Sequence, residues 1–307
     1  MTRVRFASIA MAAVLILGSV PAHAQDKLKT VATFSILADF VRNVGGDRVE
    51  VRSLVPVNSD AHVYAPTPVD ARALAEAKVV FANGLGFEGW MERLVKSSGT
   101  KAALVVAAQG VKARAMDGAD KHGHGHSHGD DNEPDPHAWQ SVANAKIYVA
   151  NIRDALAAAD LAGKDVYAAN AAAYLARLDT LDREVREAVG RIPAGRRRII
   201  TTHDAFGYFR AAYGVEFVAP QGVSTESDAS ARDVARIIGQ IKKQKIPAVF
   251  LENVTDSRLL KRISDETGAR IGGTLYSDAL TDEKGEAPTY IDMIRHNIRT
   301  LSAALMS

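Results

Sequence analysis

Residues 165–190 read DVYAANAAAYLARLDTLDREVREAVG. Tyr167, Tyr174, Leu175, Leu178, Leu181, Val185 and Val189 recur there at helical spacing, with Arg177, Asp182 and Glu187 between them. Pro193-Ala194-Gly195 stops the pattern. A helix of about 25 residues spans roughly 37 Å at 1.5 Å per residue, enough to cross a two-lobed molecule. On both sides the chain alternates short β-branched runs with amphipathic stretches, the pattern of parallel βαβ units. Before the helix, strands are expected at 30–34, 49–55, 78–82 and 103–107, with helices at 36–44, 68–77, 88–96 and 141–159. After it, strands are expected at 198–202, 216–218, 248–252 and 270–275, with helices at 205–213, 230–244, 256–266 and 290–304. Asp204 and Asp256 are expected to cap two of these helices. The expected fold is α/β, two Rossmann-like lobes with parallel sheets joined by one long backbone helix. Residues 25–160 form the N-terminal lobe, 161–191 the linker helix and 192–307 the C-terminal lobe.

Residues 1–24 read as a cleaved export signal. Arg3 and Arg5 precede an apolar run over 7–20, and Ala22-His23-Ala24 is a small-x-small cleavage site. The run is shorter than the ~20 residues a spanning helix needs. The leader holds two arginines and no acid, so totals of 38 basic and 36 acidic residues become 36 and 36 without it. That balance leaves no basic face for nucleic acid. The chain has no cysteine. Disulfides, thiolate metal sites and thiol catalysis are excluded, as is a lipid-modified N-terminal cysteine. The expectation is a periplasmic protein, exported, not lipid-anchored, and monomeric.

The chain carries nine histidines. His122, His124, His126 and His128 alternate with Gly and Ser inside 110–135, a stretch with almost no large apolar side chain and expected to be a flexible loop. With Asp117, Asp120, Asp130 and Asp131 nearby, these imidazoles would hold metal weakly as an accessory; the competing reading is a solvated low-complexity insert. Three others stand apart. His62 follows the second strand, His137 lies in the proline-stiffened Pro134-Asp135-Pro136-His137, and His203 directly follows Thr202 at a strand end. Asp278 comes three residues past Leu275. In open parallel sheets ligands bind beyond the carboxyl ends of the strands, so a cleft between lobes would gather two of these residues from each side. Three imidazoles and a carboxylate form an N3O set suited to zinc, with Zn–N about 2.0–2.1 Å. Taken singly, each could instead cap a turn. Asp60 and Glu252 are candidates to stand behind the ligands, with a turn or salt-bridge role as the alternative, and His296 reads as a surface residue of the last helix.

Five motifs carry a resemblance: Phe34-Ser35-Ile36-Leu37, Asp60-Ala61-His62-Val63-Tyr64-Ala65-Pro66-Thr67-Pro68, Asp135-Pro136-His137-Ala138-Trp139, Thr202-His203-Asp204-Ala205-Phe206-Gly207-Tyr208-Phe209 and Tyr276-Ser277-Asp278. In this order they resemble the zinc and manganese solute-binding proteins of ABC importers, the ZnuA/TroA-like cluster, with the AztC-type branch as a candidate subgroup. The resemblance runs from about Lys29 to the C-terminus. It implies two α/β lobes bridged by a rigid helix, one Zn2+ held by His62, His137, His203 and Asp278, and partnership with an ABC permease and its ATPase. A periplasmic zinc metallochaperone is a further expected partner. Manganese-type members carry a carboxylate where His203 stands, and a third imidazole favours zinc over the harder manganese ion. The motifs depart at Ala61, where family loops often carry an acid directly before the first ligand.

The expected function is high-affinity capture of zinc for import, with a manganese importer component, or a zinc buffer or adhesin of the same fold, as alternatives. An enzyme is not expected, because four ligands fill the position that catalytic zinc keeps open for water and no His-Glu-x-x-His accompanies them.

Overall fold

The computed structural model describes residues 26–115 and 134–306. The expected signal at 1–24 and the tract holding His122, His124, His126 and His128 lie outside the described residues. The first sheet comprises β1 (Leu28–Ala32), β2 (Val49–Ser53), β3 (Val79–Ala82) and β4 (Ala103–Val106), all parallel, in the order β2-β1-β3-β4. Its helices are α1 (Ser35–Gly45), α2 (Pro68–Glu76), α3 (Met91–Ser98) and α4 (Val142–Ala159). The helix α5 (Lys164–Arg191) follows. The second sheet, β5 (Arg198–Ile200), β6 (Glu216–Val218), β7 (Ala248–Glu252) and β8 (Arg270–Leu275), repeats the arrangement as β6-β5-β7-β8, again parallel. Its helices are α6 (Gly207–Tyr213), α7 (Ala231–Gln244), α8 (Arg258–Thr267) and α9 (Tyr290–Met306). Each sheet reverses direction of growth beside its first strand, so each has a crevice at the carboxyl ends of the two central strands.

Local chemistry accounts for several element ends. Pro68 opens α2 behind a capping box in which Thr67 and Asp70 satisfy each other's backbone N–H groups. Gly46 ends α1 at φ 55°, a left-handed backbone that an L side chain resists. The expected caps at Asp204 and Asp256 differ. α6 starts later, from Phe206, and α8 starts from Ser257 without a side-chain cap. Asp256 instead accepts the Arg258 N–H and pairs with its guanidinium.

α5 buries Tyr167, Ala171, Tyr174, Leu178, Leu181, Val185 and Val189 as one stripe. Each large apolar side chain among them contributes about 1.5–3 kcal/mol relative to exposure. The stripe packs against α1 and α4 on one side and α9 on the other. One apolar core therefore runs from the first sheet through α5 to α9 and α6. A smaller cluster, Ile200, Val234, Ile237, Ile241, Val249, Leu260 and Ile263, lies apart between the second sheet and α7 and α8. Polar bonds also cross the molecule. Asp39 of α1 accepts the Tyr290 N–H at 3.0 Å, and burial raises its carboxyl to about 6 despite that bond. The Tyr290 hydroxyl donates to Trp139 O at 2.7 Å, and Leu280 N–H donates to the Ser35 hydroxyl at 3.0 Å.

The expected loop at 110–135 is paired at both ends. Ala115 bridges Pro134, Asp135 N–H donates to Arg114 O, and the Tyr208 hydroxyl accepts the Arg114 N–H. His296 is also not a surface residue. It is 8 % exposed, with Nε2 3.0 Å from Thr274 O, because α9 lies across β8 rather than on the outside.

Candidate metal centre

The two crevices face each other, and His62, His137, His203 and Asp278 meet between them. His137, His203 and Asp278 are fully buried and His62 is 6 % exposed. Four separations define the cluster: His62 Nε2 to His137 Nε2 at 3.2 Å, His203 Nε2 to Asp278 Oδ2 at 3.0 Å, His62 Nε2 to Asp278 Oδ2 at 3.5 Å and His137 Nε2 to Asp278 Oδ1 at 3.6 Å. Donors about 2.0–2.1 Å from a tetrahedral ion would stand roughly 3.3 Å apart. The four edges straddle that value. One potential ligand atom from each residue lies within 4.8 Å of the others. Asp278 Oδ1 is buried without a hydrogen-bond partner, a costly state for a carboxylate oxygen that a cation relieves.

Each donor is held by the chain behind it. Asp60 and Asp135 use the same device: Oδ1 accepts the N–H two residues on, from His62 and His137, at 2.9 Å in both cases. Asp135 Oδ1 also lies 2.9 Å from His137 Nδ1. Asn83, past β3, donates from Nδ2 to Pro136 O and accepts the Tyr148 hydroxyl, fixing the approach to His137. Gly207 completes this wall, since a methyl there would sit 2.5 Å from Asp135 Oδ2. On the other lobe, Glu252 Oε1 at the end of β7 accepts Thr202 N–H at 2.7 Å and His203 N–H at 3.0 Å, while Oε2 is 2.6 Å from His203 Nδ1. Ser277 O, beside Asp278, accepts Trp139 Nε1–H at 2.9 Å and Gln140 Nε2–H at 2.7 Å, so the first lobe holds the ligand of the second.

The contacts of Asp60 and Glu252 are of two kinds. Glu252 stands directly behind His203, and Asp60 shapes the His62 turn while taking the Thr225 hydroxyl at 2.6 Å. Asp135 is passed over in the sequence analysis, although Asp135-Pro136-His137 repeats the Asp-x-His spacing of Asp60-Ala61-His62. With carboxylates at Nδ1, His137 and His203 carry that proton outward and turn Nε2 lone pairs inward. Glu252→Gln is therefore expected to weaken metal binding about 10–100-fold while preserving the fold, measured by chelator competition. An affinity within threefold of the unaltered protein would remove Glu252 from that role.

The electrostatics point the same way. Burial alone would lower His137, yet Asp278 and Asp135 raise it to about 9. Burial opposes His203 too, and Glu252 and Asp278 hold it well above its ordinary value. Asp278 resists the upward push of burial because His137 and His203 flank it, and falls well below the usual carboxylate range. Only His62 is lowered, by burial first and by the two neighbouring imidazoles. The cluster is built around positive charge.

A family model for the zinc-uptake complex component A, periplasmic, matches residues 30–304. The chain belongs to this family. Members are metal-binding, substrate-binding components that work with an ABC permease and ATPase, and are transport components rather than enzymes. The chain is 32% identical to the manganese ABC transporter substrate-binding lipoprotein PsaA of Streptococcus pneumoniae, over 94% of this chain and 92% of the relative. It is 34% identical to the manganese-binding lipoprotein MntA of Halalkalibacterium halodurans, over 91% and 89%. The solved periplasmic zinc binding protein TroA of Treponema pallidum superposes with a TM-score of 0.83 at 32% identity, over 91% of this chain and 99% of that one. The two α/β lobes and the long helix are thus those of the zinc-uptake component A family. The relatives' names fit manganese better than the zinc expected from sequence.

One expectation is corrected. The sequence reading made the protein free of any lipid anchor, whereas PsaA and MntA are named lipoproteins. An absent cysteine removes one attachment chemistry, and free diffusion does not follow from that. Among the described residues no helix is long and apolar enough to cross a membrane. An extracytoplasmic location fits the family.

Proposed function

We propose that His62, His137, His203 and Asp278 capture one first-row divalent ion, preferentially zinc, and that the loaded protein presents it to the permease. The observation that carries this reading is the set of ligand separations of 3.0–3.6 Å around an unpartnered carboxylate oxygen. Three imidazoles favour zinc, and manganese stands lowest in the general order of divalent affinities. A manganese cargo is the second reading, supported by the names of PsaA and MntA. Affinity and cargo are separate questions, because metal availability outside the cell also decides what is carried. Competitive titration addresses the first: one tight zinc site per chain, stronger than manganese by a factor of at least about a hundred. The same site is expected after deletion of residues 118–133, with His122, His124, His126 and His128 contributing weak binding only. Tighter manganese binding, or loss of the tight site with the tract, would overturn the assignment. Metal content of the protein isolated from its own cells addresses the second question.

A pH dependence follows from the raised imidazoles. His137 moves from 6.5 to about 9, so protonation stabilises the metal-free fold fully below the unfolded value and that contribution is lost as pH rises through the folded one. Tm of the metal-free protein is expected to fall between about pH 6.5 and 9, while zinc affinity rises over the same window as fewer protons compete. A metal-free Tm that stays flat or rises there would contradict the proton's role as stand-in for the ion.

A further inference from the structure

The ring of His62 is held differently from the other two imidazoles. Asp135 pairs with Nδ1 of His137 and Glu252 with Nδ1 of His203, whereas among the described residues no carboxylate pairs with Nδ1 of His62. Asp60 holds the backbone N–H of His62 and not its ring. What meets this imidazole instead is Phe87. The two ring centroids lie 4.7 Å apart at 78°, an edge-to-face contact, and Phe87 is buried. Phe34 and Trp139 pack on Phe87 in turn, at centroid distances of 5.0 and 4.9 Å, so the phenyl ring has little room to move. The backbone is strained to place it there. Between β3 and α3, Gly84, Leu85 and Gly86 have φ of 84°, 56° and 81°, left-handed values that a leucine adopts only where its surroundings enforce them. Glu88 enforces them: Oε1 accepts the Asn83 N–H and the Thr33 hydroxyl, both at 2.6 Å, and Oε2 accepts the Gly84 N–H at 3.2 Å. Two residues on, Trp90 Nε1–H donates to Ala61 O at 2.8 Å. One loop thus grips the ring of His62 through Phe87 and the carbonyl before it through Trp90.

We propose that Phe87 is a positioning residue for metal capture, setting the orientation of the His62 ring and with it the lifetime of the bound ion. The proposal rests on the capture function above and deepens it. A carboxylate behind an imidazole fixes its tautomer and its direction, and His62 has only packing to do the second of these. It is also the least enclosed of the four ligands, at 6 % exposure. A His62 ring free to turn carries Nε2 away from the ion, and water can follow it there. An edge-to-face contact of this kind is worth a factor of about two to ten.

The test uses the full chain, with histidine side chains labelled for NMR and Zn2+ as the probe. Phe87→Leu keeps an apolar side chain and removes the ring. In the loaded protein it should shift and broaden the ring signals of His62 while those of His137 and His203 stay in place. Zinc dissociation to a chelator in stopped flow should quicken about threefold or more. Leu156→Ala, a truncation of a fully buried side chain late in α4, should lower stability and produce neither change. In a His62→Ala background, Phe87→Leu should have no further effect on zinc affinity. The proposal is overturned if the His62 signals of Phe87→Leu match those of the unaltered protein, or if all three rings move together. It is equally overturned if Leu156→Ala speeds dissociation as much, or if Phe87→Leu weakens zinc binding to the same extent without His62. Ring signals of the metal-free protein are scored separately. A chain lacking a tight zinc site would sink the capture reading, while those signals still read the hold of Phe87 on His62.

Discussion

Replacing His203 with alanine is expected to weaken zinc binding by at least about a thousandfold, roughly 4 kcal/mol. The residue is fully buried and its Nε2 lies 3.0 Å from Asp278 Oδ2, so no solvent water enters easily to replace it. The loss is not confined to one donor. Without the ring, Glu252 Oε2 is left buried beside nothing that compensates its charge, and breaking such a pair from one side costs about 3–5 kcal/mol of stability. Metal-free His203→Ala should therefore also unfold at lower denaturant concentration. Adding Glu252→Gln should restore part of the stability and none of the affinity, a non-additivity that separates the two effects. His203→Glu would crowd a third carboxylate against Glu252 and Asp278, and should lose more affinity for zinc than for manganese. Chelator competition measures all of these. A His203→Ala protein binding zinc within tenfold of the original would refute the ligand assignment.

The second large effect is expected at Trp139, which binds no metal. Trp139→Ala should destabilise the protein by about 3–5 kcal/mol in equilibrium denaturation, as for other fully buried large rings. The indole packs with ring centroids 4.9 Å from both Phe34 and Phe87 and 5.3 Å from His137. It also donates to Ser277 O, so its removal loosens Asp278 across the lobe boundary. Trp139→Phe keeps most of the packing and deletes that donor alone. Gln140 still serves Ser277 O, so the phenylalanine protein should lose only about 1 kcal/mol of stability. Its zinc affinity should fall measurably. If the affinity were unchanged in both variants, Trp139 would be core and nothing more.

The architecture was legible because its signal is local. The stripe over 165–190 and the alternation on either side are periodicities that any short window contains, and among the described residues α5 and the parallel strands follow them. The meeting of these four residues was legible for another reason, since three imidazoles and an acid placed past strand ends in a parallel α/β chain have few ways to meet other than in a cleft. What stayed hidden depends on contacts between distant residues. Trp139 finds Ser277 across 138 positions, and Asp39 finds Tyr290 across 251. His296 looked solvated because its neighbours Arg295 and Asn297 are polar, yet Arg295 pairs with Glu184 of α5 and Asn297 bonds to Tyr276. The edges of the 110–135 stretch were misjudged by composition, which averages over residues and cannot see that Asp135 is recruited to hold an imidazole. For metal identity such reasoning yields a preference, three imidazoles favouring zinc, while relatives of similar sequence are named for different ions.

The separation of the apolar interior into one large and one small body has a consequence for which part of the molecule gives way first. His62 and His137 stem from segments rooted in the large body, and Asp278 is clamped to it through Ser277 and Leu280. His203 lies where the two meet, since Ile200 before it belongs to the small body and Ile199, Ala205 and Phe206 on either side to the large one. Regions with fewer buried contacts open at lower free energy than the whole molecule. The flank of α7 and α8 would thus loosen first, while α5 and all four ligands keep their packing to the large body.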